Sequence, residues 1–173
     1  KDFRNNFSES LTLTGSIFGN QTIDLTGEGT LVEIALSQAA VDFGEISLGD
    51  SSTISVQVYN DGTGTMAVGP IASDDDQFYS VPNSLSIATG ENETINIRFM
   101  PDQAGEHSAT LSIPSNDPNT PVTTITMAGN GVTNIQGAVS GVWTPENSPY
   151  FLVGSTSIQN GETLTILPGV TVI

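Results

Sequence analysis

Residues 41–64, VDFGEISLGDSSTISVQVYNDGTG, leave little room for anything but a β-sheet. Ile54, Val56 and Val58 alternate with Thr53, Ser55, Gln57 and Tyr59, the period of two that turns one face of a strand to a core and the other to water. Asn60-Asp61-Gly62 follows, and these residue types accept the positive φ that a tight hairpin between right-twisted strands requires. The stretch therefore predicts a strand, a turn, a second strand and a hairpin turn in succession.

The same grammar continues downstream. After residues 65–71 and a loop at 74–76 come strand-like runs at 78–81 and 94–100, the latter with Ile95, Ile97 and Phe99 on one face and Arg98 on the other. Pro101 and Gly105 interrupt before Ala109, Leu111 and Ile113 form a further inward row. Ser115-Asn116-Asp117-Pro118 makes a loop, with Asp117 expected to cap its own turn, and Ile125 and Met127 close the set. Seven such strands need two sheets to bury their apolar rows, so residues 31–133 are expected to form a complete all-β, immunoglobulin-like antiparallel β-sandwich. Gly69-Pro70, Val81-Pro82 and Met100-Pro101 fall at strand ends, where a missing N–H does least harm.

Residues 1–30 repeat the last part of that unit. Leu11 and Leu13 align with Leu111 and Ile113, and after a two-residue gap Ile23 and Leu25 align with Ile125 and Met127, with Gly27 and Gly29 on Gly129 and Gly131. A repeat of about one hundred residues has the size of an immunoglobulin-like domain. An isolated hairpin is marginal in water, so the 1–30 segment reads as the C-terminal strands of a preceding repeat, or as strands that pack on the following one.

Charge restricts partners. Nineteen acidic residues against three basic ones give a net charge of -16, which repels phosphate backbones and anionic lipid surfaces; nucleic acid is not an expected partner. The apolar runs fall far short of the roughly 20 residues that cross a bilayer, so no membrane insertion is expected in this segment. There is no cysteine, which excludes disulfides and thiolate metal sites without fixing the compartment. An acidic, hydroxyl-rich, lysine-poor surface suits salty surroundings, where screening weakens its self-repulsion, and also serves simple solubility. Lys1 does not open a signal-peptide pattern, and the chain is expected to be part of a longer polypeptide.

The series VDFGEISLGDSSTISVQVYNDGTG, IATGENETINIRFMP, AGEHSATLSIPSNDP and ITMAGNGV resembles the bacterial branch of the hydin-like, abnormal-spindle-type family of immunoglobulin folds. That branch is often described as the choice-of-anchor D domains of secreted surface proteins. The resemblance covers residues 31–133 and implies a non-catalytic module that occurs in tandem, acts as a spacer or binding unit, and belongs to an exported protein. The chain departs from the pattern in lacking the cysteine pair that some bacterial members carry.

From residue 134 the texture changes. Short apolar runs separated by Gly, Pro and Asn, with Ile158, Leu164, Ile166, Val170 and Val172 recurring, suit short strands stacked around a narrow interior. Ser140-Gly141-Val142-Trp143, Ser148-Pro149-Tyr150 and the run at 161–170 are similar to the opening coil of right-handed parallel β-helix domains, so residues 134–173 are expected to start such a domain. Residues 131–137 read as a short linker, and the apolar 170–173 as an edge that further coils would cover.

Motifs for chemistry are sparse. Asp42-Phe43-Gly44 lacks the nucleotide loop, lysine and catalytic loop that a kinase needs, and Phe43 reads as a core plug. Gly62-Thr63-Gly64 lies between strands, where a phosphate finds no helix N-terminus. His107 is the only histidine and aligns with Phe7, which points to a structural ring. Asp74, Asp75 and Asp76 are the candidate metal ligands, for calcium, although no Asp-x-Asp-x-Asp spacing accompanies them. Glu146 near Trp143 and Tyr150 suggests either a sugar-stacking platform or buried junction packing. No catalytic residue and no other cofactor is expected. The function that follows is a structural spacer of a large, extracellular or cell-surface bacterial protein. Its partners would be neighbouring domains of the same chain, and it would present the β-helix. Adhesion to surface glycan or protein, and accessory status in a polysaccharide lyase or hydrolase, are the alternatives.

Overall fold

The computed structural model describes residues 5–15, 17 and 19–173; residues 1–4, 16 and 18 of the expected 1–30 segment lie outside them. The described chain is built of β-strands with one short 3-10 turn. In order they are β1 (Asn5–Leu13), β2 (Gln21–Gly29), β3 (Ile34–Leu36), β4 (Ala40–Ser47), β5 (Ser52–Asn60), β6 (Met66–Val68), β7 (Ala72–Ser73) and β8 (Phe78–Val81). There follow β9 (Leu85–Ile87), β10 (Asn92–Phe99), β11 (Gly105–Pro114), β12 (Val122–Ala138), β13 (Gly141–Trp143), the 3-10 turn Pro145–Asn147, β14 (Tyr150–Ser157) and β15 (Leu164–Ile166). Among the described residues no helix is long and apolar enough to cross a membrane.

Two sheets face each other in the middle of the chain. One has the order β3-β5-β10-β8; the other runs β12-β11-β7, with β4 added to β12 in parallel. The alternation read from the sequence sets their inner faces. Val56 and Val58 of β5 and Ile95, Ile97 and Phe99 of β10 meet Leu111 and Ile113 of β11 and Ile125 and Met127 of β12, all buried. Ile54 is only partly buried at the margin of this core, and Arg98 points outward and donates to the Ser51 hydroxyl. This is the expected all-β, immunoglobulin-like sandwich.

An aromatic cluster closes one end of the core. Phe78 and Phe99 stack with ring centroids 4.4 Å apart, and Phe43 tilts against both at 5.9 and 5.6 Å. Phe43 is thus the core plug its place beside a turn suggested. The Phe99 ring lies so close to β12 that a Cβ at Gly129 would stand 2.5 Å from its Cε1. Glycine is needed here for space, because Gly129 does not have a positive φ.

The stretch after β5 departs from expectation. Asn60-Asp61-Gly62 does not join two paired strands: β5 pairs with β3 and β10, whereas β6 pairs with β9. No residue other than glycine has a positive φ among the described residues, and Gly62 is not among the glycines that do. Gly62 is required because its Cβ would meet the Leu31 carbonyl oxygen at 2.3 Å and the Glu33 nitrogen at 2.8 Å. Asn60 is fully buried and knits the turn together. Its Nδ2 donates to the carbonyls of Gly64 (2.7 Å) and Ile87 (3.0 Å), and its Oδ1 accepts from Gly62 N–H (3.2 Å).

β12 extends well beyond the sandwich. Residues 131–137, expected to form a linker, lie within its continuous run. Along one edge β12 is followed first by β4, opposite 126–132, and then by β14, opposite 133–138, both in parallel. The handover is hydrogen-bonded on both sides: Leu48 N–H donates to the Val132 carbonyl, and Thr133 N–H to that of Pro149.

The tight seat of Phe99 predicts two losses. Phe99→Ala should lower sandwich stability by about 3–5 kcal/mol, and Gly129→Val by at least about 1–3 kcal/mol through overpacking. Denaturant unfolding followed by far-UV circular dichroism checks both.

Candidate functional site

Three groupings of polar or aromatic residues merit a functional reading. Asp74, Asp75 and Asp76 occupy the loop between β7 and β8 and, with Asp102, line a depression at its side. Two of the carboxylates hold the backbone in place. Asp74 Oδ1 accepts from Thr110 N–H at 2.7 Å, and Asp75 Oδ1 from Gln77 N–H at 2.9 Å. Among the described residues no group of three or more His, Asp or Glu side chains is arranged to hold a metal ion.

Trp143 and Tyr150 form the second grouping. Their rings stack 4.5 Å apart at 6°, and both are buried, so neither face is open to a sugar. The Tyr150 hydroxyl accepts from Thr144 N–H at 3.0 Å and closes the turn that carries Glu146. Glu146 is exposed; a hydrogen bond from its own backbone N–H, with the Thr144 hydroxyl, holds its carboxyl below the ordinary range. Of the two readings of this cluster, junction packing is the one the burial favours.

Asp117 forms the third. Its Oδ1 accepts from the N–H groups of Asn119 (2.8 Å) and Thr120 (3.2 Å), capping its own turn as its sequence context suggested. Sequence reasoning missed the other oxygen: Oδ2 accepts from Ile34 N–H at 3.0 Å, across the fold, and so ties β3 to the β11–β12 loop. Burial pushes this carboxyl up, and the three backbone donors together outweigh it, leaving the pKa below the usual aspartate value. The His107 ring tilts against Phe99 at 5.6 Å, and its Nε2 lies 2.9 Å from the Gln103 carbonyl oxygen, a structural placement.

The described residues thus offer backbone-holding carboxylates and buried rings, with the polar groups turned to architecture. A family model for the HYDIN/CFA65/VesB-like Ig-like domain matches residues 33–130, more than half of the chain. The chain belongs to that family. No curated protein matches the sequence. Among solved structures, it is similar to PapD-like domain 7 of human CEP192, an ASH/PapD-like domain, with 14% identity and a TM-score of 0.51, covering 58% of this chain and 85% of that one. It is also similar to a protein of unknown function from Porphyromonas gingivalis W83, with 18% identity and a TM-score of 0.52, covering 73% of this chain and 65% of that one. At these identities the likeness is one of fold.

Asp117→Asn should destabilise the sandwich by about 1–3 kcal/mol at neutral pH, since an amide cannot accept all three N–H groups. Folding lowers this carboxyl's pKa, so its contribution is complete above the ordinary aspartate value of about 3.9 and is lost as pH falls below that, through the lower folded value. Denaturant midpoints measured for parent and variant down a pH series should therefore converge on the acid side.

Proposed function

We propose that residues 31–133 are a non-catalytic spacer of a large secreted bacterial cell-surface protein, in the choice-of-anchor branch of the family. In this reading the spacer stands in tandem with a similar module and presents a right-handed parallel β-helix that begins at residue 134. The observation that carries it is the pairing beyond the sandwich. β12 pairs in parallel with β14, β13 with β15, and Tyr150 in turn with Val172. Each strand returns beside its predecessor in the same direction, two sheets wide, which is how a coil of a parallel solenoid is laid down. Because β12 belongs to both bodies, the sandwich supplies the first strand against which that coil is set.

The surface of the sandwich fits a spacer better than an adhesin. Its exposed large apolar side chains, Val81, Met100 and Val122, are not aromatic, and the acidic, lysine-poor composition agrees with an extracellular or cell-surface setting. Its partners in this reading are the neighbouring domains of its own chain.

The reading is tested on acidic polysaccharides, with the full-length polypeptide beside a chain ending at Thr133. Neither should cleave, and cleavage by the full-length form would defeat the non-catalytic role. The shared strand gives a second expectation. Ile135→Pro removes a β12–β14 ladder bond and should open the coil, shifting the fluorescence of Trp143, the only tryptophan, to the red. The far-UV unfolding transition of the sandwich should persist.

A further inference from the structure

The hairpin β1–β2 reproduces β11–β12 pair for pair. Leu11 faces Ile23 as Leu111 faces Ile125, Phe7 faces Gly27 as His107 faces Gly129, and Asn5 faces Gly29 as Gly105 faces Gly131. The environments are opposite. Leu111 and Ile125 are 0% exposed beneath the facing sheet, whereas Leu11 and Ile23 are 49% and 47% exposed. Phe7, Leu13 and Leu25 on the same face are open as well.

Gly27 points to what is missing. A glycine inside a strand weakens it, and neither a positive φ nor a described neighbour calls for one here: among the described residues a Cβ would meet nothing within 4 Å. At the equivalent Gly129 a Cβ would strike the Phe99 ring, which also touches the side chain paired across from it, His107. Among the described residues no ring stands over Gly27 as Phe99 stands over Gly129.

We propose that the apolar face of β1–β2 is the docking surface for a four-stranded apolar sheet contributed by the polypeptide ahead of the hairpin. That sheet is of the kind β3-β5-β10-β8 presents, with an aromatic ring seated over Gly27 and against Phe7. Glu9 departs from the row, standing where Ala109 is buried in the core, so the covering sheet must offer its carboxylate a hydrogen-bond donor. The proposal rests on the tandem-module half of the proposed function; the coil half is read from Trp143 and does not depend on it.

The test supplies the sheet in cis. Residues 31–100 are placed directly ahead of Lys1, so that the join Met100–Lys1 repeats Met100–Pro101. Amide hydrogen exchange is measured at Leu11, Ile23 and Leu25 in this extended chain, in a version carrying Glu9→Ala, and in the chain of 173 residues. Exchange should slow on the order of 100-fold or more in at least one extended chain. Adding Gly27→Val should restore the faster rate there and leave the unextended chain unchanged. The proposal is overturned if both extended chains exchange as fast as the unextended one. It is equally overturned if the unextended chain is already protected and elutes as a dimer, since a second copy would then be the occupant.

Discussion

The continuous hydrogen-bonded edge of β12 is what the rest of the molecule is arranged around. On one side β11 pairs with it along the sandwich; on the other β4 hands over to β14 between Val132 and Thr133. A buried strand must pair its N–H and C=O groups. By meeting that requirement first with β4 and then with β14, β12 makes the passage out of the sandwich part of a sheet. The Asn134 amide reinforces the joint by donating to the Ser47 hydroxyl at 2.5 Å.

Within the sandwich, shape complementarity is concentrated where side chains disappear. Phe99 seats on Gly129, and the Leu31–Glu33 backbone crosses the flank of Gly62. In both places the absence of a Cβ lets a ring or a main chain approach closely, and buried polar groups then fix the arrangement. Asn60 bonds to Gly64 beyond its turn and to Ile87 on a distant strand, and Asp117 gathers three backbone donors from two separate segments. Such groups stabilise chiefly because leaving them unpaired in the interior would cost more than their bonds gain.

The apolar rows were legible because a period of two is a local signal. Val56 and Val58, Ile95 through Phe99, and Leu111 with Ile113 all lie where alternation puts them. Leu11 with Leu13, and Ile23 with Leu25, alternate in the same way, and they lie on the two strands of a hairpin. What alternation does not carry is the partner across space. Gly62 looked like a residue chosen for its φ and is one chosen for its size, since Leu31 comes against it from a distant part of the chain. The bond from Ile34 to Asp117 spans most of the sandwich sequence, and no local pattern marks it. Residues 131–137, bounded by glycines, looked like a short linker; parallel pairing with β4 and then β14 is a tertiary event that no local pattern marks. Of the candidate site residues, the acidic loop could be located from sequence, but the use of Asp74 and Asp75 as backbone acceptors depends on where Thr110 and Gln77 fall.

The direction of the β4–β12 pair has a mechanical corollary. The two strands run parallel, Ala40 beside Thr126 and Ser47 beside Val132, and β12 continues past the end of β4. Tension applied between the start of β4 and the end of β12 pulls the pair lengthwise in opposite senses. The ladder is then loaded in shear, with the bonds on either side of its register shift between Ala128 and Asn130 sharing the force together, and does not unzip one rung at a time.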